Sequence, residues 1–330
     1  MSLALTANRA QAVHAAICYG LRIRRRTPDA DLTRVRALLD RHLDTQAEPS
    51  RAVRSVYGQL FAQLTWMDND WAARHADSIF PADPAHQELL TTAWDAYLTG
   101  GQPTDGTWTL LASVYSTMTD RMDLSSHDQG ENVPATQLGR HLIRRFLAGQ
   151  MNLDSHSGIL RRFYTRASSD VAAHLMWWVS SVIESPDTPV SELITRLTEF
   201  WEYRATAAET GAAPAELAVF GRWFATGRFD PTWSLRQLLA VLNCTKRIES
   251  ENAVLSKLTD LATDHTQTCL AVLEAWIDTM PHPWVLSQCQ DSMRRIISAG
   301  VANNTTSSHT SKKLISLLLR DHGIDLRDLL

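Results

Sequence analysis

The spacing of the apolar residues constrains the fold most, because these residues recur every three or four positions along most of the chain. Between Val190 and Arg204 they form one stripe over more than three turns of helix. Residues 50–66 and 107–118 show the same spacing, although the second segment is rich in β-branched and aromatic residues. Since this spacing places apolar side chains on one face of a helix, the sequence predicts an all-α fold.

Proline and glycine mark the predicted helix boundaries. Pro84, Pro214 and Pro231 stand where helices are expected to begin, because proline is well tolerated at the first helical position. Glycines stand where helices are expected to end, at Gly100, Gly101, Gly149, Gly211, Gly227, Gly300 and Gly323. Between these marks we expect about 15 helices of about 10 to 20 residues.

Pairing successive helices gives units of about 40 residues, as in HEAT/TPR-like arrays. Because apolar stripes occur throughout and none dominates, we predict a helical-repeat solenoid, with a single globular helical domain as the alternative. Residues 123–134 form a long polar connection. We therefore expect an N-terminal helical-repeat part over 1–122, a polar loop over 123–134 and a C-terminal helical-repeat part over 135–330.

Composition excludes several classes of protein. A hydrophobic content of 44% is too high for a disordered chain, and a net charge of −4 does not suit a protein that binds nucleic acid with its whole surface. The longest apolar run, 171–183, is well short of the about 20 residues of a membrane span. The N-terminus lacks the basic start of a secretory signal, and the four cysteines are irregularly spaced. These observations favour a cytoplasmic protein with free thiols and no membrane contact.

Motifs of enzymes are missing from the sequence. It contains no GxxxxGK[ST], HExxH, GxSxG or CxxC. His265 and Cys269, one helical turn apart, with His282 and Cys289 further on, are the low-probability candidates for a zinc site of a metal-dependent enzyme. Cys269 also falls in an apolar stripe, as a buried thiol would. We therefore expect a protein without catalytic residues, cofactor or metal.

Arginines are concentrated near the N-terminus. Residues 1–54 contain ten arginines and five acidic residues, whereas residues 55–100 contain one arginine and six acidic residues. A phosphate-binding patch would use the guanidinium groups of Arg22, Arg24, Arg25 and Arg26. The cluster ends a predicted helix, where cations also suit the helix dipole, so we expect a solvated or intramolecular role and do not expect nucleic acid as a partner.

Eleven tryptophans must play different roles. The apolar stripes include Trp94, Trp108, Trp201 and Trp276, which we predict to be core residues. The neighbours Trp177 and Trp178 cannot both face the same way on a helix. Either one is exposed as an anchor for a protein partner, or both are buried between two layers of helices.

The segment around residue 220 forms a recognisable motif. Phe220, Trp223 and Phe224 predict an aromatic helix face, Gly227 a helix end and Asp230 the start of the next helix. We expect Trp233 on that second helix to fold back onto the first. The same segment, from Phe220 and Gly221 to Asp230, with Trp233 and the ending 325–330, resembles the C-terminal helical-repeat region of large bacterial signalling and antiphage-defence proteins. Those proteins carry a STAND/NACHT-like NTPase or SIR2-like module at the N-terminus.

That resemblance covers residues 180–330 and implies a recognition or oligomerisation scaffold, whose chemistry resides in a separate N-terminal module. This sequence departs from the pattern in two ways: Arg222 stands where an aromatic residue is expected, and the N-terminal module is missing. The expected function is a non-enzymatic scaffold for protein recognition, the sensor or regulatory tail of such a system. Its partner would be its own NTPase or effector module, in cis or in trans, or a phage protein. The alternative is a helical protein that contacts nucleic acid through the N-terminal arginines.

Overall fold

The computed structural model describes residues 8–101, 103–122, 133–209, 214–279, 283–303 and 305–330. Over these ranges the chain is helical and contains no β-strand, which confirms the predicted all-α fold. The chain divides into two compact units, Met1–Ser168 and Ser169–Leu330. No described helix is both long enough and apolar enough to cross a membrane.

The first unit contains nine described α-helices. Helix α1 packs on α2 and α3, α3 on α6 and α6 on α8, while α7 packs on α5 and α9. A short 3-10 turn, Pro84–His86, precedes α6. The helices are α1 (Asn8–Arg26), α2 (Thr33–Leu43), α3 (Arg51–Gln59), α4 (Phe61–Met67), α5 (Asn69–Ile79), α6 (Gln87–Gly100), α7 (Asp105–Asp120), α8 (Pro134–Leu147) and α9 (Ser155–Arg166).

Aromatic side chains fill the core of this unit. Phe61 meets Phe80 edge to face, with the ring centroids 5.2 Å apart, and Trp94 meets Tyr115 in the same way at 4.8 Å. Helices α3 and α6 approach closely at Gly58, where an added Cβ would lie 2.0 Å from the carbonyl oxygen of Ala93. Glycine is therefore required at this crossing.

The second unit contains ten described α-helices. Helix α10 packs on α12, α12 on α14, α14 on α16 and α16 on α18, so each of these helices contacts the next helix but one along the chain. Helix α13 packs on α15 in the same way. The helices are α10 (Ser169–Glu184), α11 (Val190–Glu209), α12 (Pro214–Ala218), α13 (Phe220–Ala225), α14 (Pro231–Thr245), α15 (Glu251–Leu261), α16 (Thr266–Ile277), α17 (Pro283–Gln288), α18 (Gln290–Ala302) and α19 (Thr305–His322).

The described residues thus form more helices than the expected about 15, because several apolar stripes are interrupted. The stripe over 50–66 is two helices, since Leu60 leaves helical geometry at φ −103° and ψ 14° and separates α3 from α4. Val219 separates α12 from α13, and Cys289 separates α17 from α18. A stripe continues across such breaks because the apolar side chains still face the same core.

The predicted boundaries agree with most of the helix ends. Gly149, Gly227 and Gly323 adopt positive φ just after helices, and α6 ends at Gly100. The prediction for Gly300 is wrong, because this residue lies inside α18 and an added Cβ would meet Ser311 Oγ at 2.2 Å. Its role is close helix packing. Residues 123–132 and 210–213 lie outside the described residues, so the polar loop over 123–134 and the proposed helix end at Gly211 stay predictions.

Contacts between one helix and the next helix but one along the chain are the contacts that stacked helix pairs would make. They are present within each unit taken by itself. The solenoid arrangement and the division into 1–122, 123–134 and 135–330 stay predictions.

Candidate binding groove

The motif around residue 220 forms a tightly packed joint in the second unit. Phe220 and Trp223 are fully buried and lie with their ring centroids 4.3 and 5.7 Å from that of Trp201 on α11. Asp230 caps α14 by accepting a hydrogen bond from the Trp233 backbone N–H at 2.8 Å. Trp233 folds back so that its ring centroid lies 5.7 Å from that of Phe220. The aromatic residues, including the buried Phe224, therefore hold α11, α13 and α14 together.

Gly221 brings a loop against this joint. The Glu249 N–H donates a hydrogen bond of 2.8 Å to the carbonyl of Ala218, and a Cβ on Gly221 would lie 2.0 Å from the Glu249 carbonyl oxygen. The loop turns sharply at Lys246 and Ser250, which adopt left-handed φ angles of 54° and 60°. Residues 246–250 can thus lie on α13 only because position 221 lacks a side chain.

The loop borders an open groove made of two adjoining hollows. The larger has a volume of about 630 Å³ and the smaller of about 330 Å³, and both are lined by Arg222, Ser250 and Ala253. Helix α17 closes one side of the larger hollow with Trp284 and neighbouring residues. The groove is therefore a continuous surface of the second unit, with apolar and charged side chains side by side.

Arg222 is fixed in the wall of this groove. Its guanidinium donates to both carboxylate oxygens of Glu184 at 2.8 and 2.6 Å and lies 4.9 Å from the ring centroid of Trp177. The hydrogen bonds to Glu184 raise the pKa of Arg222 above its usual value. Because both partners keep solvent contact, the ion pair contributes little stability, and its main effect is to orient the planar guanidinium.

Two tryptophans are accessible around the groove. Trp284 on α17 is 60% exposed and lines the larger hollow. Trp177 on α10 is 38% exposed beneath Arg222, whereas Trp178 is half-buried. The two adjacent tryptophans therefore face different environments, as their positions on a helix predict.

Trp284 was missed by the sequence analysis, although a signal was present. The buried residues that follow it are Leu286, Cys289 and Met293. Trp284 lies outside this apolar stripe, and an aromatic residue outside a stripe is a candidate for a surface anchor.

The four N-terminal arginines lie at the end of α1, in the first unit. Arg24 donates a hydrogen bond of 2.9 Å to the carbonyl of Met67 and another to that of Pro28, which is the intramolecular role expected. Arg22, Arg25 and Arg26 are exposed. The cluster is therefore divided between one arginine that joins parts of the fold and three that face solvent.

The candidate zinc ligands do not form a site in the described part of the chain. No group of three or more His, Cys, Asp or Glu side chains there is placed to hold a metal ion, and His282 lies outside the described residues. Cys269 is fully buried, and burial raises its pKa to about 12. The Cys289 thiol donates to Asn252 Oδ1 at 3.2 Å. His265 stands at the N-cap of α16 without a side-chain capping bond.

Comparison with protein-family models, curated proteins and solved structures finds no match to this chain. The candidate groove therefore rests on its own geometry.

Proposed function

We propose that this protein is a non-enzymatic helical-repeat scaffold that recognises a protein partner through the groove around Arg222 and Trp284. The proposal is carried by the exposure of Trp284: its side chain is 60% exposed and lines an open hollow of about 630 Å³. Tryptophan and arginine are the residues that most often dominate the energy of protein interfaces.

The groove supports this proposal in a second way, through its rigidity. Arg222 is already oriented by Glu184, and the loop over 246–250 is held by the hydrogen bond from Glu249 to Ala218. A partner that binds a preformed surface loses less free energy to ordering of side chains and loops. The mixture of apolar and charged lining residues suits a peptide segment or a protein loop.

We further propose that the scaffold is the sensor or regulatory tail of a bacterial antiphage-defence or signalling NTPase and acts in the cytoplasm. The support is the resemblance of residues 220–233 and 325–330 to such tails. On this proposal the partner is an NTPase or effector module, in cis or in trans, or a phage protein. Sequencing the DNA upstream of the Met1 codon tests it: an adjacent frame with a GxxxxGK[ST] or SIR2-like module is expected, and unrelated sequence would contradict it.

The groove is tested by selecting a displayed library of random peptides on the full chain. We expect enriched peptides to bind the Trp284→Ala variant at least about tenfold more weakly, because anchors of this kind usually contribute 2 kcal/mol or more. Trp66→Ala is the matched control, since Trp66 lies in the first unit and is 57% exposed. The proposal is wrong if the enriched peptides bind the Trp284→Ala variant as tightly as the unaltered protein, or if no peptide is enriched.

A further inference from the structure

Three arginines and a tryptophan form a second exposed surface, in the first unit. Arg22, Arg25 and Arg26 lie on the last two turns of α1, and none of their side chains forms a hydrogen bond or ion pair with any residue that the structure describes. The Arg25 guanidinium carbon lies 5.9 Å from the ring centroid of Trp66 on α4, and the Trp66 side chain is 57% exposed. We call these four residues the Arg–Trp surface.

The Arg–Trp surface stands on a fixed base. Helices α1 and α4 pack together, and Arg24 donates a hydrogen bond of 2.9 Å to the carbonyl of Met67, the residue next to Trp66. Tyr19, one turn before Arg22 on α1, is 62% exposed. The Trp66 ring and the Arg25 guanidinium are therefore held side by side on two packed helices, with Tyr19, Arg22 and Arg26 exposed on the same helix as Arg25.

Interactions within the protein explain little of the positive charge on this surface. Cations at a helix C-terminus gain less than about 1 kcal/mol from the helix dipole, and Arg24 already interacts with the carbonyls at this end of the fold. Two nearby acids are engaged elsewhere, because Asp68 accepts a hydrogen bond of 2.6 Å from Arg36 and Asp31 accepts one from Thr33. Asp29, three residues after Arg26, is exposed and can offset one of the three positive charges. The unpaired positive charges therefore remain available for an external anion.

We infer that the Arg–Trp surface binds single-stranded nucleic acid, an activity that goes beyond recognition of a protein by the groove. Guanidinium groups neutralise phosphates, and exposed indole and phenol rings stack on bases that a single strand leaves accessible. In a duplex the faces of the bases are stacked on one another, so a duplex would contact this surface only through its phosphates and the three arginines. The exposed ring of Trp66 is thus the feature that favours a single strand over a duplex.

The inference is tested with the full chain and a fluorescein-labelled oligothymidylate of about 20 nucleotides, by fluorescence anisotropy over a series of KCl concentrations. The triple variant Arg22→Ala/Arg25→Ala/Arg26→Ala should bind more weakly and lose about 2 from the slope of log affinity against log salt, since each phosphate contact on a single strand contributes about 0.7. Trp66→Ala should weaken binding about 5- to 100-fold and leave the slope unchanged, because stacking involves no counterion release.

Matched controls distinguish the contribution of this surface to binding from the effects of total charge and of any change at position 66. Arg121→Ala/Arg236→Ala/Arg295→Ala removes the same charge from exposed arginines that have no side-chain partner among the described residues. Trp66→Phe keeps an aromatic ring that can stack on a base at the same position. The arginine control should bind as the unaltered protein does, Trp66→Phe should bind more tightly than Trp66→Ala, and far-UV circular dichroism checks that every variant is folded.

Three results would overturn the inference. The first is the absence of measurable binding at low salt. In the second, both arginine triples weaken binding equally, so that net charge alone decides affinity. In the third, Trp66→Ala binds unchanged while a duplex of the same length binds as tightly as the single strand.

Discussion

Replacing Gly221 by alanine tests how the groove is built. An alanine is the better residue for an isolated helix by about 1 kcal/mol, so propensity alone predicts that Gly221→Ala stabilises α13. In the fold, however, the new Cβ would lie 2.0 Å from the carbonyl oxygen of Glu249. Helix propensity therefore predicts that Gly221→Ala raises the stability of the protein, whereas packing predicts that it lowers it.

The magnitude follows from the distances. Real Cβ atoms essentially never approach other atoms within 3.0 Å, so the loop must move away by at least about 1 Å. The moving segment includes the buried Ile248 and the Glu249 N–H, which donates the 2.8 Å hydrogen bond to Ala218. Overpacking costs about 1 to 3 kcal/mol and loss of this hydrogen bond about 1 kcal/mol. After the gain in helix propensity, we expect a net loss of about 1 to 3 kcal/mol in the free energy of unfolding.

Two measurements check this expectation. Urea unfolding followed by far-UV circular dichroism gives the change in stability, and amide hydrogen exchange should be faster at Glu249 than in the unaltered protein. Gly106→Ala is the control, since Gly106 lies in the exposed first turn of α7 and an added Cβ would come no closer than 3.2 Å, to Thr65 Cγ2. We expect the control to stay within about 1 kcal/mol of the unaltered protein. If Gly221→Ala is as stable as the unaltered protein and Glu249 exchanges no faster, the close approach does not hold the loop.

Two further predictions concern buried polar groups. Arg204 and Glu216 form a bidentate ion pair at 2.6 and 2.7 Å, and both side chains are almost fully buried. Arg204→Met should therefore lower the free energy of unfolding by about 3 to 5 kcal/mol, and the double variant Arg204→Met/Glu216→Met should recover much of this loss. Urea unfolding that shows the same loss for the single and the double variant would contradict this. Burial, aided by the charge of Arg144, lowers the pKa of His141 from 6.5 to about 4, so the unfolded chain binds the proton more tightly and stability falls as pH drops from about 6.5 to about 4. The difference in unfolding free energy between the unaltered protein and His141→Gln should therefore change by about 3 kcal/mol over that interval, whereas a constant difference would exclude this effect.

Local structure could be predicted from the sequence where one local interaction decides it. Helix α11 begins at Val190, where its apolar stripe begins, because burial of that stripe is the main source of stability for such a helix. Helix α14 begins at Pro231 because Asp230 supplies a side-chain cap and proline fixes the first helical φ. Trp94 and Trp276 are buried because they lie within apolar stripes.

Features that depend on contacts between distant segments could not be predicted in this way. The helix end predicted at Gly300 is wrong, because this glycine is required inside α18, where α19 brings Ser311 close to it. Trp66 and Trp284 were not identified, since the exposure of a side chain depends on what the rest of the chain fails to cover. The proximity of Trp66 to Arg25 joins residues of α1 and α4 that no spacing rule connects.

Arg222 shows how a single residue can make a packing joint also serve as the wall of a groove. An aromatic residue at position 222 would have the shape to lie on Trp177 and cover it with apolar surface. Arginine also lies on that ring, at 4.9 Å, but it carries a charge that Glu184 orients toward the hollow. A planar guanidinium with one face on an indole keeps donor capacity for a partner, which an aromatic ring lacks. The joint that Gly221 holds against the Glu249 loop therefore places a charged, oriented guanidinium at the groove, while Phe220, Trp223 and Phe224 behind it stay buried.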